Sequence, residues 1–111
     1  MVERLNRRLV LEAPERVADG AGGHGVVWED RGVLWASIAP GAGREAVAVG
    51  AALSRVILRI TVRAAPAGAP SRPVAGQRFR EGQRRYAILS VTEADAAARH
   101  LTCLAEEEIA R

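Results

Sequence analysis

Apolar and polar positions alternate most regularly along RVILRITVR, residues 55–63. Val56, Leu58, Ile60 and Val62 fall on one face, and Arg55, Arg59, Thr61 and Arg63 on the other. That period of two predicts a strand with one buried face. Ile57 alone breaks it, an apolar side chain among the arginines. RRLVLE (residues 7–12) predicts a shorter strand, with Leu9 and Leu11 facing one way, Val10 the other, and Pro14 closing it. VVWEDRGVLWASIAP is apolar at both ends and charged in the middle. It predicts either one bent strand or two, over 26–30 and 33–38, with Gly32 at the kink. QRFREGQRRYAILSV (77–91) predicts a hairpin turning at Glu81-Gly82, and HLTCLAEE (100–107) a last strand.

Turn chemistry separates these segments. Residues 15–25, ERVADGAGGHG, read as a loop, because Asp-Gly and Gly-Gly pairs supply the positive φ of tight reversals. After Pro40 the alternation fades into small residues, and 44–52 predict about two turns of helix weakened by Gly50. AAPAGAPSRP (64–73) holds three prolines in ten residues and predicts a projecting, mobile loop. EADAAAR (93–99) is the next connection, and the tail from Glu107 onward a frayed turn. The elements sum to a mainly β fold in one domain, residues 1–111: a small antiparallel barrel of about six strands, with one short helix and long loops.

Composition narrows the picture. Only four of 111 residues are aromatic, so the core must be built from Val, Leu, Ile and Ala. No apolar run approaches the roughly 20 residues that span a bilayer, and the basic N-terminus has no signal-peptide core. The expectation is an intracellular protein with no membrane partner. Cys103 is the single cysteine, which excludes an internal disulfide and predicts a buried structural thiol. All sixteen basic side chains are arginine. Residues 1–31 carry five against six acids, 32–99 ten against four, and 100–111 one against three. A basic middle between acidic ends suits nucleic acid, or its own neighbour head to tail.

Candidate chemistry is sparse. GAGGHG (20–25) fits G-x-G-x-x-G literally, but a dinucleotide site needs a strand before it and a helix after it. Here a Pro-containing loop precedes and the β-like VVWED follows. His24 and His100 have no second ligand at metal spacing, and Ser37, Ser54, Ser71 and Ser90 sit in no recognisable nucleophile elbow. These residues predict a non-enzyme without cofactor or metal. The basic positions Arg55, Arg59, Arg63, Arg78, Arg80, Arg84 and Arg85 could contact phosphates. Single-strand binders add exposed aromatics for base stacking, and the aromatics here read mostly as core. A nucleic-acid-binding barrel is the alternative reading.

Taken in order, the segments resemble the phage head–tail joining, or head-closure, proteins of tailed phages, prophages and gene transfer agents. The Arg-rich opening RLNRRLVLEAP is followed by DGAGGHGVVW, where Asp19, Gly22, Gly23 and Trp28 are similar to the family's Asp-Gly-Gly and Trp pattern. LWASIAPGAGRE, RVILRITVR and FREGQRRYAILSV then follow the family's order. The proline-rich 64–73 and Ala-rich 93–100 depart from it.

The resemblance implies a homo-oligomeric ring of six- or twelve-fold symmetry in the neck of the virion, assembled in the bacterial cytoplasm. A portal adaptor would lie above it and a tail terminator or tail tube protein below, with packaged double-stranded DNA held in the channel. The β-rich pattern argues against the adaptor itself, which is generally helical. The break at Pro40-Gly41 would mark an excursion whose helix serves contacts between copies. Candidate channel loops are Gly20, Gly22, Gly23, His24 and Gly25, together with Pro66, Gly68 and Pro70. Candidate contacts between subunits are Arg44, Glu45, Arg55, Arg59 and Arg63.

Overall fold

Leu58, Ile60 and Val62 do turn to one face, in strand β3 (Ile57–Arg63), and Arg59 and Arg63 to the other. This is seen in a computed structural model that describes residues 4–41 and 56–108. Val56 lies just before the strand and is exposed. Ile57 is buried although it shares the arginine face, because Gly41 crosses it closely and donates its N–H to the Ile57 carbonyl at 2.8 Å.

The other strands are β1 (Arg7–Ala18), β2 (His24–Pro40), β4 (Arg78–Glu81), β5 (Arg84–Glu93) and β6 (His100–Glu108). They close in the order β1-β2-β3-β6-β5-β4, every pair antiparallel. The short pairing of Val10–Glu12 with β4 completes the barrel. Its interior is filled by inward positions of all six strands, among them Leu9, Leu11, Leu34, Ile60, Phe79, Tyr86 and Leu101. Each such side chain contributes about 1.5–3 kcal/mol on leaving water. Cys103 is fully buried there, and desolvation pushes its thiol up to about 12.

Two expectations are corrected. Pro14 does not end the first strand, which continues to Ala18 with Pro14 opposite Trp28. Beyond Glu12, β1 has β2 on one side and, among the described residues, no strand on the other, so a missing N–H can point outward at no cost to the ladder. Residues 64–77 do not project freely. Successive turns run through them, Arg72 holds the Ala65 carbonyl at 2.8 Å, and Pro73 is buried. Gln77 and Gly76 exchange backbone hydrogen bonds with Ile88, tying this segment to β5.

The second apolar segment forms one bent strand, β2. Leu11 faces Gly32 and Glu12 faces Asp30, which leaves Arg31 as an extra residue in a bulge. Gly32 sits there at φ +135°, a backbone that side chains rarely adopt. The predicted hairpin is formed by β4 and β5. Gly82 at φ +61° opens a two-residue turn, the chemistry of a type II′ reversal. No helix occurs among the described residues; the one expected over 44–52 lies outside them.

Candidate interaction site

Beyond the bulge, β1 and β2 leave the barrel as a two-stranded arm, pairing from Glu12↔Asp30 to Ala18↔His24. Its base is braced by charge. Glu12 is 5% exposed and accepts hydrogen bonds from Arg78 at 2.7 Å and Arg80 at 2.9 Å. Burial by itself would raise the Glu12 carboxyl, but the two guanidiniums outweigh it and hold the group below its ordinary value. Arg78 also lies 4.0 Å over the Trp28 ring, and Arg80 comes within 3.7 Å of Asp30.

Toward the tip the arm is bare. Asp19 closes the turn by accepting from the N–H groups of Ala21 and Gly23 at 2.8 and 3.0 Å. Val17, Val26 and Val27 are exposed. On the Val17 and Val27 face, Glu15 and Glu29 lie close together, and the hydrogen bond and charge of Glu29 raise the Glu15 carboxyl.

The far end of the barrel carries a second charge network, on inward positions. Arg7 grips Glu81 with two hydrogen bonds at 2.6 and 2.7 Å, and the Tyr86 hydroxyl donates to Glu81 at 2.9 Å. Arg84 grips Glu107 at 2.8 and 2.9 Å. The Arg7 bonds lower the Glu81 carboxyl, and those from Arg84 lower Glu107. Burial pushes the Tyr86 hydroxyl up to about 12, helped by its bond to Glu81. The network caps an interior already filled by side chains, so the barrel has no lumen.

The β2–β3 side differs. Outward residues Val33 and Trp35, with Leu5, Arg63, Ala64, Ala65, Ser71 and His100, line a groove of about 710 Å³. Trp35 is 54% exposed. Arg63 in the groove, Arg8 opposite Trp35, Arg99 beside Ala64 and Arg59 along β3 have no ion-pair partner among the described residues. His100 is paired to Asp95 at 3.0 Å. No cluster of three or more metal-binding side chains occurs among the described residues.

The chain has known counterparts. The family model of phage head completion proteins matches residues 1–108. The chain belongs to that family. The structure of a native gene transfer agent virion contains a chain 48% identical to it, matching over 98% of this chain and 100% of the other, with a TM-score of 0.80. The solution structure of protein SF1141 from Shigella flexneri 2a is 26% identical over 97% and 96% of the two chains, at a TM-score of 0.69. Comparison with curated proteins gives no match.

In this head completion protein both predicted channel loops come to one end of the barrel. Gly20, Gly22, Gly23, His24 and Gly25 form the arm tip, and Pro66, Gly68 and Pro70 are exposed in the β3–β4 connection. Arg59 and Arg63 face outward on β3, as their spacing predicts; Arg44, Glu45 and Arg55 lie outside the described residues. The Arg-rich hairpin is corrected: Arg78, Arg80 and Arg84 are engaged by Glu12 and Glu107, which removes them as a free basic face. Sequence reasoning missed Glu12, Trp28 and Glu107 as structural partners. The one visible signal was Glu12, a lone acid inside an apolar run.

Proposed function

We propose that this chain is a structural neck component of a tailed phage-like particle. Copies form a ring below the portal and its adaptor, close the channel after DNA packaging, and offer the tail its attachment surface. The reading is carried by one observation: family membership over residues 1–108, together with 48% identity to a chain of a gene transfer agent virion. The filled barrel supports the ring, because DNA has no path through a single copy and a channel must run between copies. The work is steric and electrostatic, with no bond made or broken. The protein assembles in the bacterial cytoplasm and ends in the virion.

Electron microscopy of particles from a strain lacking the gene tests this. Tailless heads that have lost their DNA are the expected result. Filled, tailed particles would overturn it.

A second reading, direct nucleic-acid binding, is favoured by one feature, the exposed Trp35 beside Arg63, which has no ion-pair partner among the described residues. It requires the isolated protein to bind short DNA with an affinity that falls steeply as salt rises. A neck component acquires DNA contacts only on assembly.

A further inference from the structure

We propose that the arm of one copy lies in the groove of the next. Val17 and Val27 cover Val33 and Trp35 there, while Glu15 and Glu29 face Arg8 and Arg63. This deepens the ring reading above and rests on it.

Two surfaces of one chain are each incomplete, and each supplies what the other lacks. The arm beyond its braced base is a ribbon of two strands, a form with marginal stability in water. Its valines are exposed at 40% for Val17 and 52% for Val27. Beside them stand two carboxylates close enough to disturb each other, with Arg31 no nearer to Glu29 than 4.0 Å. A cation arriving from outside would relieve that repulsion. The groove offers the reverse: an apolar floor of Val33 and Trp35, with guanidiniums that have no ion-pair partner among the described residues. The contrast inside the molecule is informative, since Arg7, Arg78, Arg80 and Arg84 all have carboxylates in place.

The occupant is a second copy on grounds of charge and geometry. Residues 13–31 carry Glu15, Asp19, Glu29 and Asp30 against Arg16 and Arg31, so the arm is net acidic and repels DNA. Six residues of arm at about 3.4 Å each reach about 20 Å, enough to cross the face of a neighbouring barrel. Arm and groove are different patches, so the contact is head to tail. Such contacts generate rings when the rotation closes.

The test is cross-linking in assembled particles that carry Val27→Cys and Val33→Cys in the same chain. The two positions lie six residues apart on β2, about 20 Å, so a short bis-maleimide cannot join them within one copy. The native Cys103 is fully buried and stays silent. A ladder of linked multimers is expected from the double variant and none from either single variant. Several copies per neck by quantitative mass spectrometry, with no ladder, would overturn the arm–groove contact and leave the ring standing. One copy per neck would overturn the ring itself.

Should the cysteine chain fail to enter particles, charge exchange decides. Glu29→Arg and Arg63→Glu are each expected to cut incorporation about tenfold, a loss of about 1.4 kcal/mol, and the combined variant to restore it. No restoration would overturn the contact. So would protection of the Val33→Cys thiol by short double-stranded DNA in the isolated protein, which would put nucleic acid in the groove.

Discussion

The two halves of β2 carry similar side chains and meet different fates. Residues 33–36 pair with β1 and residues 36–40 with β3, inside the closed barrel, and Leu34 and Ala36 point into its interior and are buried. Residues 24–30 pair with β1 and with no other strand among the described residues, and there Val26 and Val27 stay in water. Position in the closed barrel decides burial, more than the hydrophobicity of the residue: Leu34 has β1 as its one paired strand, as Val27 has, but faces the filled interior. Where no third strand pairs among the described residues, apolar surface is left that another molecule can cover. The charges divide the same way: Arg78, Arg80 and Arg84 on the β4–β5 side are paired internally, and Arg8 and Arg63 beside the groove have no ion-pair partner among the described residues.

The comparison breaks hardest in the core. Phe79→Ala removes a fully buried ring and is expected to cost about 3–5 kcal/mol in urea unfolding of the isolated protein. A cost below 1 kcal/mol, about the ordinary effect of a surface change, would mean that the barrel interior is not packed as described.

Glu12→Ala comes next, at about 2–3 kcal/mol, because Arg78 and Arg80 lose a shared acceptor in a nearly dry place. The arm should loosen with it, read as faster amide exchange over residues 13–30.

Acid probes the same bonds without mutation. The carboxyls of Glu12, Glu81 and Glu107 sit below the ordinary 4.5, so the unfolded chain takes up protons first as the pH falls. Their stabilisation is complete above that value and is lost as pH drops through the folded pKa values. The urea midpoint should therefore fall between about pH 5 and pH 3, and fall less in Glu12→Gln.

The smallest effect belongs to the arm tip. Val17→Ala and Val27→Ala should each change the isolated protein by less than about 0.5 kcal/mol. The same substitutions should weaken incorporation into particles, and that split between stability and assembly is what sharpens the comparison.

The barrel was largely legible in sequence because its information is local. Alternation in 55–63, the Glu81-Gly82 turn and the kink at Gly32 are each set by a few consecutive residues. What could not be read is long-range. Glu12 meets Arg78 and Arg80 across more than sixty residues, and only the closed strand order makes them neighbours. The same reason explains why the basic hairpin looked free when Arg78, Arg80 and Arg84 are engaged. Pro14 misled because a proline ends a strand only where its N–H is needed. The proline-rich 64–73 misled because composition does not reveal that Arg72, Pro73 and Gln77 tie the segment down.

The most direct test of the account is a high-resolution map of the neck in intact particles. The barrel should be unchanged there, with Val17, Val27, Val33 and Trp35 covered by protein in a ring of copies. A neck in which those four side chains remain in solvent would contradict it.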